Sequence, residues 1–188
     1  MPPNFSGGND VDYMRQFVIP FSGLRAGNYN FAFDIDDEFF ENFEHSEIGE
    51  GRIQVVCRME RQERMLIFQF HFTGLVTIPC DRCGQDYKQP LDGETRLIVK
   101  FGSEHQEVSE EVLMIHEKEH EIDLSQFFYE YIHLLLPMKR VHGENTAGGS
   151  LCDPEITRFI SEGREPQVDT RWEKLKQLKD NTNQENKF

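Results

Sequence analysis

Residues 65–83 read MLIFQFHFTGLVTIPCDRC. Phe68, Phe70 and Phe72 alternate with Gln69 and His71, and that period of two puts the rings on one face of a strand and His71 on the other. The run stays apolar as far as Ile78 and then enters Cys80-Asp81-Arg82-Cys83. Two thiols at C-x-x-C spacing converge on one side of a tight turn, for which Gly84 supplies the backbone freedom. Gly, Pro and Asp-Gly turn signals follow in GQDYKQPLDG (84–93), and then comes the strand-like ETRLIVKF (94–101). The pair of cysteines therefore sits in a hairpin connection. A thioredoxin-like motif instead opens a helix after a strand, so a thiol redox protein is the weaker alternative.

Strand signals recur upstream. GRIQVVCRMERQ (51–62) is rich in β-branched residues, and FVIPFSGLRAGNYNFAFDID (17–36) alternates around Gly23 and Gly27, which predicts two strands joined by a turn. Between them, DDEFFENFEHSEI (36–48) predicts a short helix with Phe39, Phe40 and Phe43 on one face. Downstream, residues 103–121 carry seven glutamates against Lys118 alone and read as a solvated loop, with Val112–Ile115 a short strand inside it. Residues 121–137, EIDLSQFFYEYIHLLLP, predict a helix capped by Asp123 or Ser125 and ended by Pro137. Leu124, Phe127, Phe128, Tyr131, Ile132, Leu134 and Leu135 give it an apolar stripe wide enough to pack on a sheet. The expected fold is α+β: mainly an antiparallel β-sheet or partly open barrel, one packed amphipathic helix and a short C-terminal helix. The expected organisation is a flexible tail over 1–12, one domain over 13–160, and a linker with a basic tail over 161–188.

The chain has 188 residues, with 20 Lys and Arg against 34 Asp and Glu, a formal net charge of −14. Such a chain repels phosphate backbones in bulk, so nucleic acid would be reached through a local basic patch, and basic proteins are natural partners. No run approaches the roughly 20 apolar residues of a membrane span. The N-terminal MPPNFSGGND lacks the basic and apolar regions of an export signal, and a cytoplasmic location is expected. No phosphate-binding loop, dinucleotide fingerprint, nucleophile elbow or H-E-x-x-H motif is present. The carboxylates are dispersed, so no general acid–base pair emerges. The sequence offers no catalytic machinery and implies no small-molecule substrate.

Of the four cysteines, Cys57 lies in a strand-like apolar run and reads as a small core residue. Cys152 lies in the Gly-rich TAGGSLCDPE (146–155), and His142 precedes it by ten residues. Cys80, Cys83, His142 and Cys152 form a Cys₃His set suited to structural Zn²⁺. The alternative leaves His142 and Cys152 as plain loop residues and the knuckle as a reduced turn. His116 and His120 stand four apart without a third ligand. In the tail, RWEKLKQLK (171–179) sets Trp172 among Arg171, Lys174, Lys176 and Lys179, a candidate contact for RNA or another partner. Lys139-Arg140 is a second basic spot. A helix this short orders only when docked.

Taken in order, FSGLRAGNYNFAFDI, TGLVTIPCDRCGQDY, EIDLSQFFYEYIHLLLPMKRVHG with its downstream cysteine, and VDTRWEKLKQLK resemble the YceD family, the large ribosomal RNA subunit accumulation proteins. The resemblance covers roughly residues 17–180. The family often reads Asp-Pro-Arg-Trp where this chain has Asp169-Thr170-Arg171-Trp172, and its second thiol pair varies. The resemblance implies a role in synthesis, processing or stability of large-subunit ribosomal RNA. The partners it implies are the rRNA precursor, a basic ribosomal protein, or both.

Overall fold

The alternation at Phe68, Phe70 and Phe72 runs through a 15-residue strand at the centre of a six-stranded sheet. The computed structural model describes residues 13–103, 106–109, 111–143 and 151–162, in a chain that divides into two compact units, Met1–Leu151 and Cys152–Phe188. In the first, a 3-10 turn (Met14–Phe17) precedes β1 (Val18–Pro20), β2 (Gly27–Ile35), α1 (Asp37–Glu41), β3 (Glu50–Arg61), β4 (Met65–Pro79), β5 (Asp86–Gly102), β6 (Gln106–Ser109), β7 (Val112–His116), β8 (Glu121–Asp123) and α2 (Ser125–Leu135). In the second, α3 spans Pro154–Glu162, with Thr157 N–H and Oγ1 both bonded to the Asp153 carbonyl. The fold is α+β with mostly antiparallel sheet, and it is not a closed barrel.

The large sheet has the order β2-β3-β4-β5-β7-β6, and among the described residues β1 pairs only with β8. All neighbours are antiparallel except β5 and β7, which run parallel with Ile98 opposite Val112. Ile53, Val55, Cys57 and Met59 on β3 and Leu66, Phe68, Phe70 and Phe72 on β4 are buried, while Gln69, His71 and Thr73 are exposed. One face is thus apolar and the other solvated, as strict alternation requires. α2 covers the apolar face. The Phe128 ring lies 5.4 Å from Phe70, 5.8 Å from Phe72 and 5.1 Å from Phe33. Asp123 Oδ1 accepts the Ser125 N–H at the start of α2, and the helix stops two residues before Pro137.

The structure differs from the sequence reading at four places. The two N-terminal strands form but do not pair with each other: Ile19 sits opposite Ile122, and β2 takes all its partners from β3. The bond from Leu124 N–H to the Phe17 carbonyl brings β1 to the entry of α2 instead. The acidic segment is less loop-like than its charge suggests, because β6 and β7 form a hairpin within it. Strand β5 begins at Asp86, so Pro90 and Asp92-Gly93 lie inside it and not in a turn. Among the described residues β7 joins β5 only from Ile98 onward and no strand pairs with that edge at Pro90, so the N–H that Pro90 lacks is not missed there. Finally, Leu134 is 76% exposed; only Leu124, Phe128, Tyr131 and Ile132 of the stripe are fully buried, with Phe127 and Leu135 packed partly against them. The tails over 1–12 and 163–188, with the C-terminal helix expected there, lie outside the described residues. Among those described, no helix is long and apolar enough to cross a membrane.

Candidate metal centre

Pro79 ends β4, and the chain reverses through Cys80–Gln85 into β5. Cys80 N–H donates to the Gln85 carbonyl at 3.0 Å, and Gly84 N–H donates to the Cys80 carbonyl at 2.8 Å. Gly84 closes this turn at φ +71°, a left-handed conformation that favours glycine. The knuckle places Cys80 and Cys83 on one short reversal, and both are buried.

The segment leaving α2 comes back to this knuckle. Asp81 N–H donates to the Arg140 carbonyl at 2.7 Å, and Arg140 N–H donates to Asp81 Oδ2 at 2.7 Å. The Arg140 guanidinium pairs with Glu47 from the loop before β3. Two residues beyond Arg140, His142 sets Nδ1 3.5 Å from Cys83 Sγ, and its ring packs 5.0 Å from that of Tyr87 on β5. The ligand atoms of Cys80, Cys83 and His142 all lie within 4.8 Å of one another. Cys152 is buried as well.

Donor chemistry and spacing can be set against a tetrahedral zinc ion. Bonds of about 2.3 Å to sulfur and 2.0 Å to nitrogen place the ligand atoms roughly 3.5–3.8 Å apart, within the spread seen here. Soft thiolates and an imidazole are also donors that zinc takes. The residues fit the ion.

Electrostatics point the same way. Burial works against a charged Cys80, but hydrogen bonds from the backbone N–H groups of Cys83, His142 and Arg82 and from the His142 side chain outweigh it. The thiol is brought down to about 6. Amides aimed at a sulfur stabilise the thiolate, which is the metal-ligating form. Cys57 shows the opposite environment: it is buried on β3, and burial pushes its thiol up to about 12. It behaves as the core residue expected.

Cys80, Cys83 and His142 are therefore brought together, and Cys152 begins the second unit. Arg171, Trp172, Lys174, Lys176 and Lys179 lie outside the described residues. Of the second basic spot, Arg140 is engaged by Glu47, and Lys139 is exposed. His116 Nδ1 accepts the Lys118 N–H within a turn, a structural role. Sequence reasoning missed Asp81, Glu47 and Tyr87 as supports of the cluster. The aspartate inside the C-x-x-C motif was the available signal.

The chain belongs to the YceD family: the family model described as "Large ribosomal RNA subunit accumulation protein YceD" matches residues 68–179. That span contains the knuckle, α2, His142 and Cys152. No curated protein and no solved structure matches the chain.

Proposed function

We propose, with membership of the YceD family as the premise, that this protein is a ribosome biogenesis factor. It supports synthesis, processing or stability of large-subunit ribosomal RNA, and it does so by binding rather than catalysis. The observation that carries this reading is the family match over residues 68–179. The cluster of Cys80, Cys83 and His142 supports the binding aspect, with Zn²⁺ as the proposed cofactor and Cys152 as the proposed fourth ligand. Four protein ligands fill a tetrahedral zinc shell and leave no position for the water that a catalytic zinc activates, so the ion's role is to stabilise the fold. The proposed location is the cytoplasm.

The proposed partner is the large-subunit rRNA precursor, contacted through Arg171, Trp172, Lys174, Lys176 and Lys179. With so few phosphates neutralised, that contact is weak and falls steeply with salt. A second reading is favoured by the net charge of −14: an acidic module that holds a basic ribosomal protein, with effects on RNA following from that. A dithiol redox role has less support, since C-x-x-C lies in a hairpin and its thiols have the His142 imidazole beside them.

A tagged full-length chain recovered from growing cells, with and without ribonuclease, separates the readings. Large-subunit precursor RNA recovered with early-binding proteins supports the assembly factor. One basic protein that persists after nuclease supports the second reading, and recovery of neither counts against both. Elemental analysis of protein purified without chelator tests the ion; folded protein without zinc rejects it.

A further inference from the structure

We infer that Asp81 is a positioning residue for the metal centre: its carboxylate holds the segment that carries His142 at ligating distance from the knuckle. The inference rests on reading the cluster of Cys80, Cys83 and His142 as part of a zinc site. His142 is 59 positions from Cys83, and residues 138–142 belong to no helix or strand. Nothing in their local conformation delivers an imidazole to the turn. The reciprocal pair between Asp81 and Arg140 does so. Its two bonds, each 2.7 Å, join the knuckle to the returning chain as a ladder joins two strands. A third contact continues the register, since the His142 N–H is aimed at the Cys80 sulfur.

The two bonds differ in what they require of the sequence. Any residue at position 81 other than proline donates its N–H to Arg140. Only a short side chain with an acceptor oxygen can take up the Arg140 N–H, and a carboxylate does it with a charge-assisted bond. The guanidinium of Arg140 takes no part in the clamp; it turns to Glu47. Asp81 therefore acts on the site through the backbone of a residue two positions from the ligand. Outer-shell groups that orient metal ligands commonly change metal affinity by about 10–100-fold when removed.

The test uses the full chain loaded with zinc and a chromophoric chelator in competition. Asp81→Ala is expected to bind zinc about 10–100-fold more weakly than the wild type. Asp81→Asn keeps an acceptor oxygen and is expected to stay within about threefold, while Arg140→Ala keeps the backbone N–H and is expected to do the same. If Asp81→Ala does not fold without metal, its refolding is titrated with zinc, and the midpoint relative to wild type reads the same ratio. The cobalt-substituted Asp81→Ala protein should keep its thiolate charge-transfer band while its ligand-field bands shift, since the imidazole is the ligand disturbed. Asp81→Ala with wild-type affinity, or Asp81→Asn as weak as Asp81→Ala, overturns the positioning role and leaves the zinc site standing. A wild-type chain that binds no zinc overturns the site and the positioning role together.

Discussion

Gly74 of β4 lies so close to Arg52 of β3 that a Cβ built on it would stand 2.1 Å from the Arg52 carbonyl oxygen and 2.7 Å from the Cα of Ile53. Both obstacles are backbone. Gly93 of β5 meets a softer neighbour, the tip of the Leu135 side chain, with Cδ2 at 2.3 Å. The two glycines serve close approach, one between strands and one between sheet and helix.

The difference in obstacle sets a ranking. Gly74→Ala is expected to destabilise by about 3 kcal/mol, and Gly93→Ala by about 1 kcal/mol because Leu135 can rotate away. Urea midpoints compared at constant slope measure both. Equal losses would show that the neighbours yield alike.

Phe128 is the hub between α2 and the sheet, with its ring 5.1–5.9 Å from those of Phe17, Phe33, Phe70 and Phe72. Phe128→Ala opens a cavity that backbone ladders on one side cannot fill, with an expected loss of about 3–5 kcal/mol. Phe128→Leu should recover much of that. Thermal unfolding of the two variants checks it, and a loss under 1 kcal/mol for alanine would mean the helix repacks.

Thr95 Oγ1 is buried with no hydrogen-bond partner among the described residues. Its place on β5 faces the layer beneath α2, where Tyr131 reaches the Arg96 carbonyl at 3.5 Å. Replacing the hydroxyl by a methyl removes a desolvated group and keeps the shape, so Thr95→Val is expected to stabilise by about 1 kcal/mol. A destabilised valine variant would point to a water that satisfies the hydroxyl.

Cys80 sets a pH dependence in the metal-free protein. Its thiol lies at about 6 in the fold, against an ordinary value of 9.0. The unfolded chain therefore binds more protons between these values, and stability rises with pH across that window. The contribution is complete above about 9 and lost as pH falls through about 6. Ultraviolet thiolate absorbance should show this step, and Cys80→Ser should abolish it. In the zinc-loaded protein the metal competes with protons for the same sulfur, so release on acidification occurs at lower pH still. A thiolate step near 9 alone would contradict the environment described for Cys80.

Much of the fold was legible because the signals are local. The burial alternation on β3 and β4, the Phe39–Phe40 face of α1 and the buried side of α2 are periodicities that a strand or helix imposes on neighbouring residues. The misread places share a different cause. Pro90 and Gly93 carry turn chemistry, yet one sits on an edge that no described strand pairs with and the other makes room for a helix more than forty residues away. Leu134 looks like its apolar neighbours, and only the direction from which the sheet approaches leaves it in solvent. The four ligands were legible as a chemical set because cysteine and histidine at knuckle spacing are informative in themselves. Their supports, Asp81 and Glu47, are residue types too common in an acidic chain to stand out.

The sequence by itself determined that the segments of β3 and β4 extend, that those of α1 and α2 coil, and where a thiol knuckle turns the chain, because each depends on side-chain period and backbone preference over a few residues. Tertiary structure alone decided that β1 joins β8, that β5 and β7 run parallel, and that His142 meets Cys83. Those are encounters between distant segments, and their outcome rests on which apolar faces cover one another and which backbone groups are left to pair. No local pattern carries that information.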